Sequence, residues 1–386
     1  MVRKDFLPPF SPYIGEEEIS EVVDTLKSDW ITMGPKTLKF EELFKEYIGC
    51  KFAISLNSCT AGLHLSLVSL NIGEGSEVIT SPYTFAATGN TIVHQRAKPI
   101  FVDIDKGTYN IDIEQIENAI TDKTRAIMPV HYAGHPCEMN EILKIADEYN
   151  LYVIEDAAHA LGAKYKGKEI GTIGDTTSFS FYATKNITTG EGGMVTTDNE
   201  EIAEKIRILR LHGISRDAWK RYSSEGSWYY EIIECGYKYN MTDIQASIGI
   251  HQLKKAEAMR KKREEIAKIY NEEFENLEGL ITPTIKKHVK HAWHLYPLLI
   301  DIDRMKINRN KFIEELKKQN IGTSVHFIPL HLHPFYRKTL GYKKGDFPSA
   351  EWVYEREISL PIYPRMTDDD VIDVVNAVKK IVLENR

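Results

Sequence analysis

The chain has 386 residues, 42% of them hydrophobic, and a formal net charge of −7. That length exceeds what a single hydrophobic core usually organises, so a large domain with a smaller one is expected. The acidic balance supplies no basic field for nucleic acid or for an anionic membrane surface, and any anionic ligand must be met by local donors.

The amino-terminal stretch MVRKDFLPPFSPY is broken by prolines and lacks the apolar core of a signal peptide. EEEISEVVDTLKS, from Glu16, places Ile19, Val22, Val23 and Leu26 on one face and predicts an opening amphipathic helix. From Phe52 to Gly73 there is no Asp, Glu, Lys or Arg, but Asn57, Ser58, Thr60, His64 and Ser66 make the stretch too polar to span a membrane. It reads as a buried strand, a turn and a helix. Short apolar runs then recur, FAISL at 52, EVIT at 77, PIFVDI at 99, RAIMPV at 125 and LYVIED at 151, with helix-length segments between them. This alternation predicts an α/β fold with a mainly parallel sheet covered on both faces. No GxGxxG follows any of these runs, which argues against a dinucleotide site.

From Met241 to Leu277 the pattern is one long, charged, proline-free helix, whose mixed acids and bases read as a solvated face rather than a nucleic-acid patch. The remainder has strand-like HAWHLYPLLIDI and GTSVHFI around a helix at 308–319, and a closing helix after Thr367. It predicts a small α+β domain, with the division expected between a large domain, 1–255, and a small one, 256–386. Cys50, Cys59, Cys137 and Cys235 form no CxxC pair, so neither a zinc knuckle nor a disulfide framework is expected, and a cytoplasmic protein with reduced thiols is.

The chemistry centres on SFSFYATKNITTGEGG, residues 178–193. A lysine beside a glycine-rich turn is usually a solvated surface residue. Here Lys185 lies between two strand patterns, TTSFSFYA and GEGGMVTT, which hold it inside; desolvation then lowers its amine pKa and makes it a nucleophile towards carbonyls, as a Schiff base requires. Asp156 ends the apolar run LYVIED, where α/β sheets place their ligands. It reads either as a turn cap or as a fixed anion facing a pyridinium nitrogen. In SLNSCTAGLHLSL a strand runs through a small polar turn into a helix, so the backbone N–H groups of Thr60 and Ala61 could hold a phosphate, with Ser58 or Thr60 as a plain N-cap the alternative. Ser180 adds a hydroxyl and Phe85 a ring that stacks on a cofactor or packs in the core. Histidines 288, 291, 294, 326, 331 and 333 crowd the carboxy-terminal part, but with no acidic companions beside them in sequence no metal site is expected.

The motifs DWITMGPKT at 29, NSCTAGLHLSL at 57, YTFAATGN at 83, MPVHYAGHPCEM at 128, IEDAAHALGAKYKGKEIG at 154, SFSFYATKNITTGEGGMVTTDN at 178, GYKYNMTDIQA at 236 and HFIPLHLHPFYRK at 326 follow one another in an order that resembles the DegT/StrS family of sugar aminotransferases dependent on pyridoxal phosphate (PLP). Within it, PVHYAG, EDAAHA, KNIT, GYKYN and HAWHL are most similar to the enzyme that forms UDP-4-amino-4-deoxy-L-arabinose. The resemblance covers nearly the whole chain. It implies a fold type I PLP-dependent transferase of the aspartate aminotransferase kind, with a seven-stranded, mainly parallel sheet, working as a homodimer with active sites at the subunit interface. It also implies roles: Lys185 binds PLP as a Schiff base, Asp156 pairs with the pyridine nitrogen, Phe85 stacks on the ring, and Thr60, Ala61 and Ser180 hold the phosphate. His159 stands where many relatives have glutamine, next to the ring oxygen. Lys238 stands where many have asparagine, so Lys238 or Asn240 reaches the partner's phosphate. His326, and less directly Thr32, contact the sugar nucleotide.

The implied reaction is ping-pong: L-glutamate gives its amino group to the cofactor, and a 4-keto nucleotide sugar, UDP-linked by the closer similarity, then takes it. A 3-keto sugar aminotransferase and a non-catalytic regulator on the same fold are the alternatives. Lys185 argues against the sugar 3-dehydratases of the family, which carry histidine there. Lipid A modification and polysaccharide biosynthesis are both open as pathways.

Overall fold

The computed structural model describes residues 3–215 and 229–386. Its centre is a seven-stranded sheet of β1 (Phe52–Leu56), β2 (Glu77–Thr80), β3 (Lys98–Phe101), β4 (Thr124–Met128), β5 (Tyr152–Asp156), β8 (Thr176–Ser180) and β9 (Gly193–Thr197). A small ribbon, β6 (Lys164–Tyr165) and β7 (Lys168–Glu169), intervenes in the chain and pairs with β11 (Val289–Lys290). The large sheet runs in the order β1-β9-β8-β5-β4-β2-β3; only β9 is antiparallel to its neighbours, Leu56 facing Gly193 and Ser180 facing Gly193. All five apolar runs form strands, because parallel strands covered on both faces are buried almost throughout.

The covering helices are α1 (Glu16–Lys27), α2 (Pro35–Ile48), α3 (Cys59–Ser69), α4 (Ala86–His94), α5 (Ile113–Ile116), α6 (Met139–Tyr149) and α7 (Glu200–Leu209). α1 forms as expected, but its apolar stripe does not face this chain's core. Ile19, Val23 and Leu26 are 47%, 41% and 57% exposed, while Glu18 and Thr25 are buried. Glu18 holds α1 in place by accepting from Gln252 Nε2 at 2.8 Å.

The long helix, α8 (Asp243–Phe274), starts at a capping box in which Thr242 and Gln245 satisfy each other's end of the helix. Its Met259 belongs to the core under the large sheet and its Ile266 to a second core. The helix thus changes cores between these residues, beyond the 255/256 division read from the sequence. The second core lies under a three-stranded sheet of β10 (Leu280–Ile281), β12 (Tyr296–Ile300) and β13 (Glu357–Leu360), with α9 (Arg309–Lys318), α10 (Pro334–Leu340), α11 (Pro348–Tyr354) and α12 (Asp368–Glu384) completing the chain.

Two expected strands are corrected. In HAWHLYPLLIDI only Tyr296–Ile300 is a strand; the first half instead ties the two parts together, His294 N–H donating to Ala133 O at 2.9 Å and Ala292 N–H to Gly134 O at 2.9 Å. GTSVHFI makes only one isolated bridge, Ser324 with Ser359, and Ile321 just before it bridges Leu7. The backbone N–H of His326 donates to the Glu357 side chain at 2.8 Å, so no ladder continues there. No helix among the described residues is long and apolar enough to cross a membrane. All four cysteines are free.

Candidate active site

The ends of β5 and β8, the start of α3 and the loop from Phe181 to Gly192 enclose a cavity of about 420 Å³. It brings together Thr60, Phe85, Asp156, His159, Ser180, Lys185 and His326, residues drawn from the whole length of the chain. A larger cleft of about 500 Å³ between α2 and α7 contains none of the expected site residues.

Lys185 is carried by a loop pinned at both ends. Phe181 N–H donates to Gly192 O and Thr189 N–H to Phe181 O, both at 2.9 Å, and Phe181 and Ile187 are buried as anchors. The next residue, Asn186, donates Nδ2–H to Ala292 O at 2.9 Å, fixing the loop against the segment that precedes β12. The side chain of Lys185 is left in the cavity, where burial pushes its pKa down to about 8, against the opposing pull of the Cys59 and Asp156 charges. About a tenth of such amines are unprotonated at pH 7.

Asp156 ends β5, buried. Its Oδ2 accepts from Thr88 Oγ1 at 2.8 Å and its Oδ1 from Ala158 N–H at 3.1 Å. Burial raises its pKa, while the bonds from Thr88 and Ala158 and the charge of Lys185 hold it down. Thr88 itself lies 2.7 Å from Thr84, which lines the cavity. Neither threonine was singled out in the sequence; the only trace was a pair of polar residues four apart at the start of a buried helix.

At the start of α3, Ser58 is the N-cap, and its Oγ accepts from Ala61 N–H at 3.1 Å. The Ala61 N–H is thus engaged by Ser58, and Ala61 does not line the cavity, whereas Thr60 does. Gly193 permits this approach, since a Cβ there would lie 2.4 Å from the Ser58 carbonyl carbon. That contact sets Ser180 of β8 and Thr60 of α3 into one wall.

Three histidines face the cavity, and all are neutral. Burial, aided by the Lys185 charge, lowers His159 well below its ordinary value and His326 to about 4. His294, buried and beside His159 at 4.3 Å between ring centroids, is lowered likewise. His159 Nδ1 accepts from Ala133 N–H at 3.3 Å, which leaves its proton on Nε2. His294 Nδ1 donates to Asn186 Oδ1 at 3.1 Å, leaving Nε2 as an acceptor. A second chamber of about 180 Å³ opens off the first, sharing Tyr182, Thr184, His294 and His326 and reaching Ser324 and Ser359.

Other expected residues lie elsewhere. Lys238 is exposed, and its carbonyl receives Asn57 Nδ2–H at 3.3 Å; Asn240 is buried and donates to Met241 O at 3.1 Å. Thr32 is exposed, with its carbonyl accepting the Asp243 N–H at 3.0 Å. None of the three lines the cavity. The histidines do have acidic companions in space, His288 with Glu138 at 3.0 Å and His331 with Glu351 at 2.9 Å. Among the described residues, though, no three His, Cys, Asp or Glu side chains are grouped to hold a metal ion.

A desolvated lysine, a buried carboxylate at a strand end and a helix start carrying hydroxyls form the donor set of a pyridoxal phosphate site. Residues 12–379 match the DegT/DnrJ/EryC1/StrS aminotransferase family. The chain belongs to this family. It is similar to the uncharacterized protein MJ1066 of Methanocaldococcus jannaschii, 89% identical over 386 residues and 100% of both chains. It is also similar to the spore coat polysaccharide biosynthesis protein SpsC of Bacillus subtilis, 55% identical over 381 residues and 98% of each. Among solved structures, Spr1654 of Streptococcus pneumoniae, assigned as a sugar aminotransferase, superposes in its PMP form with a TM-score of 0.92 at 35% identity and 98% coverage of each chain. Its PLP form gives a TM-score of 0.91. The protein is thus a fold type I sugar aminotransferase with pyridoxal phosphate as cofactor.

Proposed function

We propose that this enzyme moves an amino group from L-glutamate to the 4-keto carbon of a nucleotide-linked sugar, UDP-linked, in a ping-pong reaction. The observation that carries the reading is the pairing, in one cavity, of a lysine with a pKa of about 8 and a buried, doubly hydrogen-bonded carboxylate. Lys185 would hold the cofactor covalently, Asp156 would face its pyridine nitrogen, and Phe85, 63% exposed at the cavity mouth, would stack on its ring. Thr60 and Ser180 would hold the phosphate. His159 would offer Nε2–H to the ring oxygen, the same donor sense as the glutamine amide of many relatives. When bound, the cofactor's protonated ring accepts the electron pair released as a Cα–H bond breaks.

The chain's own part is to place and move protons. Lys185 Nζ, largely desolvated and partly unprotonated near neutrality, takes the proton from the Cα of the amino donor and returns one to the sugar carbon that receives nitrogen. The bonds from Thr88 and Ala158 favour the ionised form of Asp156 against the burial that raises its pKa. The neutral histidines His294 and His326 add no positive charge beside Lys185 and offer polar contacts to an uncharged sugar ring.

A homodimer is part of the proposal. The exposed stripe of Ile19, Val23 and Leu26 on α1 is supported as a subunit contact by its extent and by the absence of anything in this chain to cover it among the described residues. Lys238, exposed and outside its own chain's cavity, would serve the partner's phosphate site. The likeness to SpsC supports a place in polysaccharide biosynthesis.

The test is to convert the holoenzyme with glutamate, follow loss of its visible absorbance, and then add UDP- and dTDP-linked 4-keto and 3-keto sugars one at a time. Recovery with a UDP-4-keto sugar is expected. Recovery only with 3-keto sugars, or no bleaching by glutamate, overturns the reading.

A further inference from the structure

The loop that carries His326 is locked to β13 by three kinds of contact. Ser324 and Ser359 exchange backbone bonds at 3.2 and 2.9 Å, Glu357 Oε2 accepts the His326 N–H at 2.8 Å, and Tyr132 donates its hydroxyl to the His326 carbonyl. Within this frame the side chains form a continuous line. Ser359 Oγ lies 2.8 Å from His326 Nδ1 and 2.5 Å from Glu357 Oε1. Glu357 is fully buried, while His326 lines both the cofactor cavity and the second chamber. A buried carboxyl is therefore wired, through one hydroxyl, to an imidazole at the active site.

We propose that Glu357, Ser359 and His326 form a proton relay that ends at His326 Nε2 in the active-site cavity. The bonds allow two arrangements. With Glu357 ionised, Ser359 donates to Oε1, His326 donates Nδ1–H to Ser359, and Nε2 carries a lone pair. With Glu357 protonated on Oε1, the carboxyl donates to Ser359, Ser359 donates to Nδ1, and Nε2 carries the proton. Oε2 is not the protonated oxygen, because it accepts the His326 backbone N–H. Amination of a ketone expels the carbonyl oxygen as water, and that oxygen must gain protons. One such proton leaves Nε2; Nδ1 takes the Ser359 proton, Ser359 takes the Glu357 proton, and Glu357 is left as carboxylate. Return of a proton from solvent through the open chamber to Nε2 resets the line. This use of the relay rests on the reading that His326 faces the keto sugar. Ser359 and Glu357 act through His326, as positioning residues.

The surroundings favour a carboxyl that changes state near neutrality. Burial raises Glu357 to about 8, against the Arg309 guanidinium and the bonds from Ser359 and His326 N–H. The phenols of Tyr83, Tyr109 and Tyr132 also feel its charge and stay protonated. On the cavity side His326, kept from becoming an imidazolium by burial and then by the charge of Lys185, also faces the neutral His159 and His294.

The test reads the tautomer directly. In holoenzyme labelled with 15N-histidine and free of sugar, long-range 1H–15N spectra are recorded from about pH 6 to about pH 9.5, a span centred on a carboxyl raised into this range. The His326→Gln spectrum identifies the signal. The expected parent shows Nε2–H at low pH and Nδ1–H at high pH. Ser359→Ala should abolish the switch and Ser359→Thr should keep it. Glu357→Gln, whose amide can only donate to Ser359 while its oxygen accepts His326 N–H, should hold Nε2–H throughout. In single-turnover reaction with the keto sugar, Ser359→Ala should lower the maximal rate by about 10²-fold with little change in half-saturation, the size of a lost general acid. A tautomer constant with pH in the parent, or a switch that survives in Ser359→Ala, overturns the relay. If the switch is present but no 4-keto sugar reacts, the substrate reading has failed and the relay stands.

Discussion

Thr88→Val tests how Asp156 is kept ionised. Thr88 is fully buried on α4, its hydroxyl 2.8 Å from Asp156 Oδ2, and valine matches it in shape while removing the donor. A hydrogen bond to a charged group contributes about 1.5 to 3 kcal/mol net. Without that bond Asp156 should rise further, beyond the increase that burial already imposes. The remaining Ala158 N–H bond and the Lys185 charge limit the shift. An Asp156 that ionises less readily pairs less well with a protonated pyridine nitrogen. Cofactor affinity should therefore fall, by at most the about 10- to 100-fold that the whole bond is worth at about 1.4 kcal/mol per tenfold. The loss should shrink as pH rises and Asp156 ionises again. Apo-protein titrated with PLP by visible absorbance across pH measures this, with Thr88→Ser, which keeps the hydroxyl, as the control. Parental affinity and parental pH dependence in Thr88→Val would refute the reasoning.

Three further predictions use the same structure. The pKa of about 8 at Lys185 means that uptake of PLP by apo-protein accelerates up to about pH 8 and then levels, whereas a lysine at the ordinary 10.5 would keep gaining about tenfold per unit; stopped-flow absorbance separates the two. Glu357, raised from 4.5 to about 8, ionises earlier in the unfolded chain than in the folded one. The folded state is thus penalised progressively between these values, by about 1.36 kcal/mol per unit, and the penalty is constant above pH 8. The melting temperature of Glu357→Gln relative to the parent should climb across that window by calorimetry, and a flat difference would contradict it. Replacing Val23 and Leu26, 41% and 57% exposed, by Asp should weaken the dimer at least about tenfold in sedimentation equilibrium, since burying each side chain contributes about 1.5 to 3 kcal/mol; an unchanged association constant would remove α1 from the interface.

The parts legible in the sequence were those whose cause is local. FAISL, EVIT and LYVIED read as strands because a parallel sheet buried on both faces needs an unbroken apolar run, and Lys185 stood out because a charge inside such a pattern must be explained. α1 was equally legible as a helix, but periodicity gives the existence of an apolar face and not what covers it. GTSVHFI has the β-branched and aromatic residues of a strand; what prevents one is the Glu357 carboxylate capturing the His326 N–H from 31 residues away.

The same distance rule separates the reacting groups of the site from their supports. Lys185, Asp156 and His326 each sit in a motif with its own local signature, whereas Thr88 reaches Asp156 across 68 residues and Ser359 reaches His326 across 33. A threonine at the start of one helix and a serine in an edge of the small sheet carry no sign of what they bind. Yet these supports fix the states of the groups the motifs announce: Thr88 determines how readily Asp156 ionises, and Ser359 determines which nitrogen of His326 carries the proton. A sequence motif thus names the atoms that meet the substrate, and the fold, by bringing distant hydroxyls to within 2.8 Å of them, decides in which protonation state they meet it.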